Sequence, residues 1–470
     1  MVFSSAVFLF IFLPVVFLLS RVIPGIRGKN ILLLIASLLF YAFGEPVYVL
    51  LMIASIVINF TAGRLLVLCR KKAQAQLVTA AAVVLNLGML SVFKYTDFFL
   101  SSLNQAFSLE IPLTGIALPV GISFFTFQGL SYVIDVYRDR SLCAYNIVKL
   151  ALYISLFPQL IAGPIVIYHD VADQIDHRQT NPALTADGIR RFVIGLSKKL
   201  LIANTTGRMA DLVFTASASQ LDARAAWIGA VCYMLQIYFD FSGYSDMAIG
   251  LGRMFGFQFL ENFQYPYISS SIKEFWRRWH ISLSSWFRDY LYIPLGGNRK
   301  GKVRTELNKA VVFFCTGLWH GASWNFVLWG LWHGVFIILE DLLPKGGKVR
   351  KALGHVTTLL IVLLGFVLFR ADSLESAGLM FSQMFTGFAF TLQSDALLRD
   401  LLTPLNLATV ALGVLCSLPL LPWVRYKAQG DGKGALALRV GSYALSAGLY
   451  LLCVMNLAGS AFNPFIYFRF

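Results

Sequence analysis

The chain is poor in charge: 13% of its 470 residues are Asp, Glu, Lys or Arg, against 57% that are hydrophobic. A soluble domain must wet its outside, and a mean hydropathy of +0.69 leaves too little polar surface to do so. Cysteine is scarce and scattered. The six (Cys69, Cys143, Cys232, Cys315, Cys416 and Cys453) form no CxxC pair, so neither a disulfide framework nor a zinc site is indicated. They read as small buried hydrophobes. No GxSxG elbow occurs, so a serine hydrolase lacks its signature. Gly296 to Lys302 has the spacing GxxxxGK, but Val303 stands where Ser or Thr is needed, and Gly250 to Gly256 is one residue too long for a dinucleotide fingerprint. His169, His177 and the Cys315–His320 pair do not make a ligand set, so no metal is expected. The strict alternation of a membrane barrel is also missing.

What the chain does have is long apolar runs. A hydrocarbon core takes about 20 apolar residues per helical span, and backbone groups in lipid must be satisfied within their own segment. The expected class is therefore an all-α polytopic membrane protein of roughly 11–13 membrane helices or re-entrant segments, forming one domain over residues 1–470. The net charge of +15 would suggest nucleic acid in a soluble protein. Here the basic residues fall in short loops between apolar runs, as the positive-inside rule predicts, and nucleic-acid binding is a poor reading. The first run, Val2 to Leu19, has no basic region before it and is followed by Arg21, Arg27 and Lys29. It reads as a retained span with its N-terminus outside the cytoplasm.

Spans are expected at Ile31–Phe43, Val47–Val67, Gln76–Phe93 and Ile111–Val136. Leu150 to Ile167 carries Pro158 and Pro164 and reads as a broken or re-entrant segment lining a cavity. Residues 168–190 read as a polar cytoplasmic loop, and Ile189–Phe214 as an amphipathic interfacial stretch. Ala225–Phe255 is apolar but carries Asp240 and Asp246, which read more as partners of buried arginines than as site groups. Further spans follow at Lys309–Gly321, Ser323–Leu339, 354–369, 405–422 and 436–457, the last two joined by the polar, Gly-rich linker Lys427–Gly434.

Chemistry concentrates in Trp319-His320-Gly321-Ala322-Ser323-Trp324-Asn325. A titratable group inside a span is costly and marks function by default. An imidazole takes and returns a proton near neutral pH, and acyl transfer from a thioester to a hydroxyl needs such a base because an alcohol is a weak nucleophile. Gly321, Ala322 and Ser323 lack bulk, and Trp319 and Trp324 are suited to exclude water. Asn325 either orients an imidazole or caps a helix. His333 would lie on nearly the opposite face of a continuous helix from His320 and reads as packing; the two share a site only if the chain breaks near Gly321–Asn325. His280, flanked by Arg277 and Arg278 and by Ser282 and Ser284, is the second candidate. Its surroundings suit an anionic or polyhydroxyl ligand, or an interfacial aromatic and basic belt that only anchors a helix. Spacing does not separate these.

The start Met1–Ser5, the run Phe157–Ile165, the segments Phe239–Asp246, Phe275–Ser284 and Asp289–Arg299, and Trp319-His320-Gly321, all in order over nearly the whole chain, resemble membrane-bound O-acyltransferases of the bacterial alginate O-acetylation type. The resemblance implies a funnel-shaped helical fold with a thin centre and a central tunnel. It implies that His320 is the catalytic histidine and His280 a second functional one; Trp319, Ser323, Asn325, Arg277, Arg278, Asp240 and Ser282 are, from the residues themselves, candidate substrate contacts. It also implies acetyl-CoA as donor with no permanently bound cofactor, a bacterial cytoplasmic membrane location, and an extracytoplasmic SGNH-type acetyltransferase or similar acceptor protein that passes acetyl to a polysaccharide. The aromatic tail Phe465–Phe470 resembles that of this group, whereas Ile167 stands where the family often has Arg. Two other readings fit the residues: D-alanyl transfer from a carrier-protein thioester, and a proton-coupled transporter or flippase using the buried His and Asp groups.

Overall fold

The computed structural model describes residues 1–161, 163–342, 348–420, 422, 427, 432–459 and 465, and every regular element among them is helical. The chain packs as two compact units. One is Met1–Phe192 with Met247–Leu260; the other comprises the described residues of Val193–Asp246 and Glu261–Phe470.

In the first unit, a π-helical turn Phe8–Phe12 leads into α1 (Leu13–Val22), followed by α2 (Gly25–Ala42), α3 (Val49–Leu68), α4 (Lys72–Lys94), α5 (Thr96–Phe107), α6 (Ile122–Arg138), α7 (Ile147–Ser155), α8 (Tyr168–His177) and the start of α9 (Pro182–Ser197). In hydrocarbon, apolar contact alone does not select a helix partner, so polar groups and small residues do. Asn59 of α3 and Asn86 of α4 exchange amide hydrogen bonds at 3.1 and 3.0 Å, both side chains buried. Phe8, Phe12, Phe40, Phe157 and Phe255 form a connected cluster of rings with centroids 5.4–6.3 Å apart.

The Pro-containing segment is broken as expected: α7 stops at Ser155 and no helix resumes before Tyr168. Ala162 lies outside the described residues. The freed backbone is taken up by side chains. Phe157 N–H donates to Ser37 Oγ at 3.0 Å, and Tyr153 Oη donates to the Val166 carbonyl at 2.9 Å. Two expectations are corrected here. Ile111–Val136 is helical only from Ile122, and residues 168–190 are largely helix, not loop. The cause was in the sequence: Tyr168, Val171, Ala172 and Ile175, all buried, recur at i, i+3, i+4 and i+7.

In the second unit, the end of α9 runs through a π-helical turn, Lys198–Ala203, into α10 (Asn204–Phe214). Then come α11 (Ala223–Met254, its residues to Asp246 in this unit), the short α12 (Ile272–Arg278) and α13 (Ile281–Phe287), α14 (Lys302–His320), α15 (Trp324–Leu342), α16 (Lys348–Arg370), α17 (Leu374–Thr386), α18 (Leu392–Leu401), α19 (Pro404–Cys416) and the closing helix Lys433–Gly459. Helices α17 and α18 fall in a stretch that the sequence reading left without structure. The α14–α15 hairpin is pressed together at Gly330, where a Cβ would meet the Phe313 carbonyl oxygen at 2.3 Å. The core of this unit includes Phe275, Trp276, Trp279, Trp329, Phe366 and Phe369.

Among the described residues six helices are long and apolar enough to cross a membrane, and the pair α18 and α19, bent by 63°, makes up to seven. Phe8–Val22 is a shorter apolar helix. The protein is a multi-pass, all-helical membrane protein.

Candidate active site

His320 is the last residue of α14. Gly321 leaves the helix in an extended conformation, and α15 begins at Trp324. The chain therefore breaks where the small residues are, and the two histidines do not ride on one helix. A Cβ at Gly321 would come within 2.1 Å of the Phe326 ring, so this turn takes glycine. The His320 side chain is buried in an aromatic box. Its ring centroid lies 4.9 Å from Trp319, 4.9 Å from Trp329 and 5.3 Å from Phe369, all near edge-on. Such a box excludes water and gives the imidazole few orientations.

His280 arrives from the α12–α13 junction. It sits at φ 45°, one of three non-glycine residues with positive φ among those described. A histidine there is uncommon, and its surroundings hold it. The Ile281 N–H donates to the Asn262 carbonyl at 3.0 Å. Asn262 Oδ1 accepts from the Ser282 N–H at 3.1 Å and from Ser282 Oγ at 2.9 Å, and lies 3.3 Å from His280 Nδ1. The His280 ring is fully buried, edge-on to Phe241 at 4.6 Å, 5.8 Å from the Trp319 ring and 6.3 Å from the His320 ring. Burial pushes its imidazole pKa well below the ordinary value, because the charged form loses its hydration. His280, Trp319 and His320 thus form one cluster, from residues forty apart in sequence.

The other expected residues divide. Ser282 belongs to the clamp around His280. Arg277 and Arg278 part company: Arg278 pairs with Glu274 at 2.9 Å and donates to the Gln264 carbonyl at 3.0 Å, while Arg277 is exposed and lines a cavity of about 550 Å³. That cavity also carries Lys273, Arg288 and Lys309 beside Trp276, Ile281, Ser284 and Thr316. Lys273 and Lys309 both pair with Asp341. Asn325 donates to the Ala371 carbonyl at 2.7 Å and ties the start of α15 to the end of α16. Ser323 lies in the turn, half-buried. Trp324 is half exposed, and Trp329 and Phe369 line the box.

Asp240 and Asp246 have lysine partners where arginines were expected: Lys199 at 2.6 Å and Lys198 at 2.8 Å. The π-helical turn Lys198–Ala203 carries both lysines. Phe465 is buried beside this pair, 4.7 Å under the Lys199 ammonium and edge-on to Tyr244 at 4.6 Å. The rest of the aromatic tail, 466–470, lies outside the described residues, as does 428–431 of the linker. His333 packs face to face with Phe275 at 6.1 Å and edge-on to Trp276 at 5.3 Å. Among the described residues no group of three His, Cys, Asp or Glu side chains is arranged to hold a metal. Sequence reasoning missed Asn262, Phe241, Trp329 and Phe369. Trp329 was visible as one of the tryptophans after His320, whereas nothing in Glu261-Asn262-Phe263 marks Asn262 as the anchor of a histidine.

The profile of the membrane-bound O-acyltransferase family matches residues 138–345, which contain both histidines. The chain is 45% identical over 422 residues to a protein named probable alginate O-acetylase AlgI of Pseudomonas aeruginosa, covering 88% of this chain and 80% of that one. It is 41% identical over the full length of both chains to the Azotobacter vinelandii protein of the same name. It is 36% identical to a peptidoglycan O-acetyltransferase of Helicobacter pylori, over 80% of this chain and 78% of that one. A multi-pass helical protein with a buried histidine cluster inside the matched region, and full-length likeness to such relatives, belongs to the membrane-bound O-acyltransferase family, of the alginate O-acetylation type, and is an O-acyltransferase.

Proposed function

We propose that the protein takes acetyl groups from acetyl-CoA at the cytoplasmic face of a bacterial cytoplasmic membrane and passes them across for O-acetylation of an extracytoplasmic polysaccharide. Alginate and peptidoglycan are the polymers suggested by the relatives' names. The observation that carries this reading is the buried cluster of His320, His280 and Trp319, closed by Trp329 and Phe369. A thioester kept there is shielded from hydrolysis.

His320 acts as base for an incoming hydroxyl, or carries the acetyl group briefly itself. In the first case the hydroxyl oxygen attacks the thioester carbonyl while the imidazole takes its proton. The C–S bond then breaks, and the proton returns to the departing thiolate, giving the ester and free CoA. Arg277, with Lys273, Arg288 and Lys309 around the same cavity, supplies positive charge for the phosphates of the donor. Ser323, Asn325 and Asp240 act at one remove, through the turn after His320, the α15–α16 tie and the Lys199 ion pair. The hydroxyl belongs to an extracytoplasmic acceptor protein of SGNH type, or to the polymer itself. The basic residues after the first apolar run favour an extracytoplasmic N-terminus.

The test is acetyl transfer from labelled acetyl-CoA to extracytoplasmic polymer in membrane vesicles. His320→Ala is expected to lose about 10²–10⁴-fold in transfer while inserting in normal amount. Near-normal transfer by that variant refutes the assignment. Transfer that requires an acyl carrier protein in place of acetyl-CoA moves the chain to D-alanyl chemistry.

A further inference from the structure

The Asn262 clamp decides more than where His280 sits. A backbone N–H can only donate. The Ser282 N–H points at one end of the Asn262 side-chain amide, 3.1 Å away, so that end is the oxygen and not the NH₂. The other end agrees: Asn262 Nδ2 donates to Ser245 Oγ at 3.1 Å. With the amide orientation fixed, the atom 3.3 Å from His280 Nδ1 is an acceptor. Ser282 Oγ, 3.5 Å from the same nitrogen, already gives its proton to Asn262 Oδ1 at 2.9 Å and offers Nδ1 a lone pair. Every neighbour of Nδ1 that the structure gives accepts, so Nδ1 carries the hydrogen. In a neutral imidazole the other nitrogen is then a bare lone pair. Nε2 is buried and has no hydrogen-bond partner among the described residues.

We propose that Asn262 is the positioning residue of this acyltransferase: it locks His280 in the Nδ1–H tautomer and so presents Nε2, beside His320, as a hydrogen-bond acceptor for the hydroxyl that receives the acyl group. His280 then acts in the route in which His320 carries the acetyl group: the hydroxyl's single proton passes to His280 Nε2 as its oxygen attacks the acetyl carbonyl and the bond to the His320 nitrogen breaks, a task the opposite tautomer cannot perform. This rests on the proposed function for the role of Nε2, but not for the tautomer. The clamp also explains why a histidine persists at positive φ. The Asn262 carbonyl and side-chain oxygen take the N–H groups of Ile281 and Ser282 after the turn, and the Gln264 N–H donates to the Arg278 carbonyl at 2.9 Å before it, which over-determines the backbone on either side.

The experiment is solid-state NMR of the full-length protein in lipid bilayers with ¹⁵N-labelled histidine, the His280 signals being those lost in His280→Gln. At neutral pH the His280 ring is expected to show a protonated Nδ1 and an unprotonated Nε2. Asn262→Asp keeps an oxygen toward the Ser282 N–H and is expected to retain that signature. Asn262→Ala is expected to give mixed tautomers and, at normal protein amount, an acetyl transfer rate lower by about 10–100-fold. A wild-type spectrum with Nε2 protonated overturns the proposal. So does an Asn262→Ala variant that keeps the wild-type tautomer and rate, and so does loss of the tautomer in Asn262→Asp. If the tautomer is as described but His280→Gln transfers acetyl at the wild-type rate, it is the function given to Nε2 that fails, not the role of Asn262.

Discussion

The chain interrupts its helices in three instructive places, one in the first unit and two in the second, and the two units use them differently. Between Ser155 and Tyr168 the backbone is irregular but self-contained: Ser37 receives the Phe157 N–H, and Tyr153 donates to the Val166 carbonyl. Between His320 and Trp324, and again at His280, the interruptions deliver imidazoles into a shared aromatic pocket. Freed backbone in a membrane protein has to be satisfied by something. In the first region neighbouring side chains do this and no titratable group is left over. At the His280 turn the polar residues that secure the backbone, Asn262 and Ser282, also hold the histidine, so local order and chemistry depend on the same contacts.

Breaking the interruptions of the second unit should therefore cost activity, and breaking that of the first should cost stability. The largest effect is expected from Gly321→Val, which drives a side chain into the Phe326 ring, itself edge-on to Phe369 at 4.9 Å. Overpacking of about 1–3 kcal/mol at the wall of the His320 box should lower acetyl transfer by an order of magnitude or more, measured in membrane vesicles at matched protein amount. Wild-type transfer would mean that the turn has no part in placing His320. Ser37→Ala should act on the first unit's interruption alone. It strands the buried Phe157 N–H, at a cost of about 1–3 kcal/mol, so the detergent-solubilised protein should melt earlier while the folded fraction keeps its specific activity. A selective loss of activity with unchanged melting would erase the distinction between the two regions. The smallest effect is expected from His333→Phe. This ring packs against Phe275, Trp276 and Trp329, and a substitution of similar shape should leave transfer within about twofold, since volume-conserving changes are well tolerated. A loss as deep as that of His320→Ala would place His333 in the chemistry.

Much of this architecture was readable without coordinates, for a reason visible in particular segments. The runs that became α2, α3, α4, α15 and α16 are apolar over a whole bilayer thickness, and a local property of that length needs no knowledge of neighbours. The break after His320 was foreshadowed by Gly321-Ala322-Ser323, and the broken stretch after Ser155 by Pro158 and Pro164. What failed was reading polarity as absence of structure. Residues 168–190 look like a loop by composition, yet Tyr168, Val171, Ala172 and Ile175 line one helical face. Asp240 and Asp246 were visible as costly buried charges, but their lysine partners precede them by more than forty residues and are presented by a π-helical turn that no pattern announced.

The sequence by itself determined that this protein lies in a membrane, that it is helical, and that His320 and His280 are its leading candidates for chemistry. The first two follow from hydropathy over short windows, the candidacy of His320 from the cost of a titratable group in lipid, and that of His280 from its polar flanks and the family resemblance. Only the tertiary structure decided that the two histidines meet, that Trp329 and Phe369 close the box, that Arg277 faces a cavity while Arg278 braces Glu274, and that Asn262 holds His280. Each of those depends on which side chains are brought within a few ångströms by helices distant in sequence. Hydrogen-bond direction and ring packing are set at that range, and composition carries no record of them.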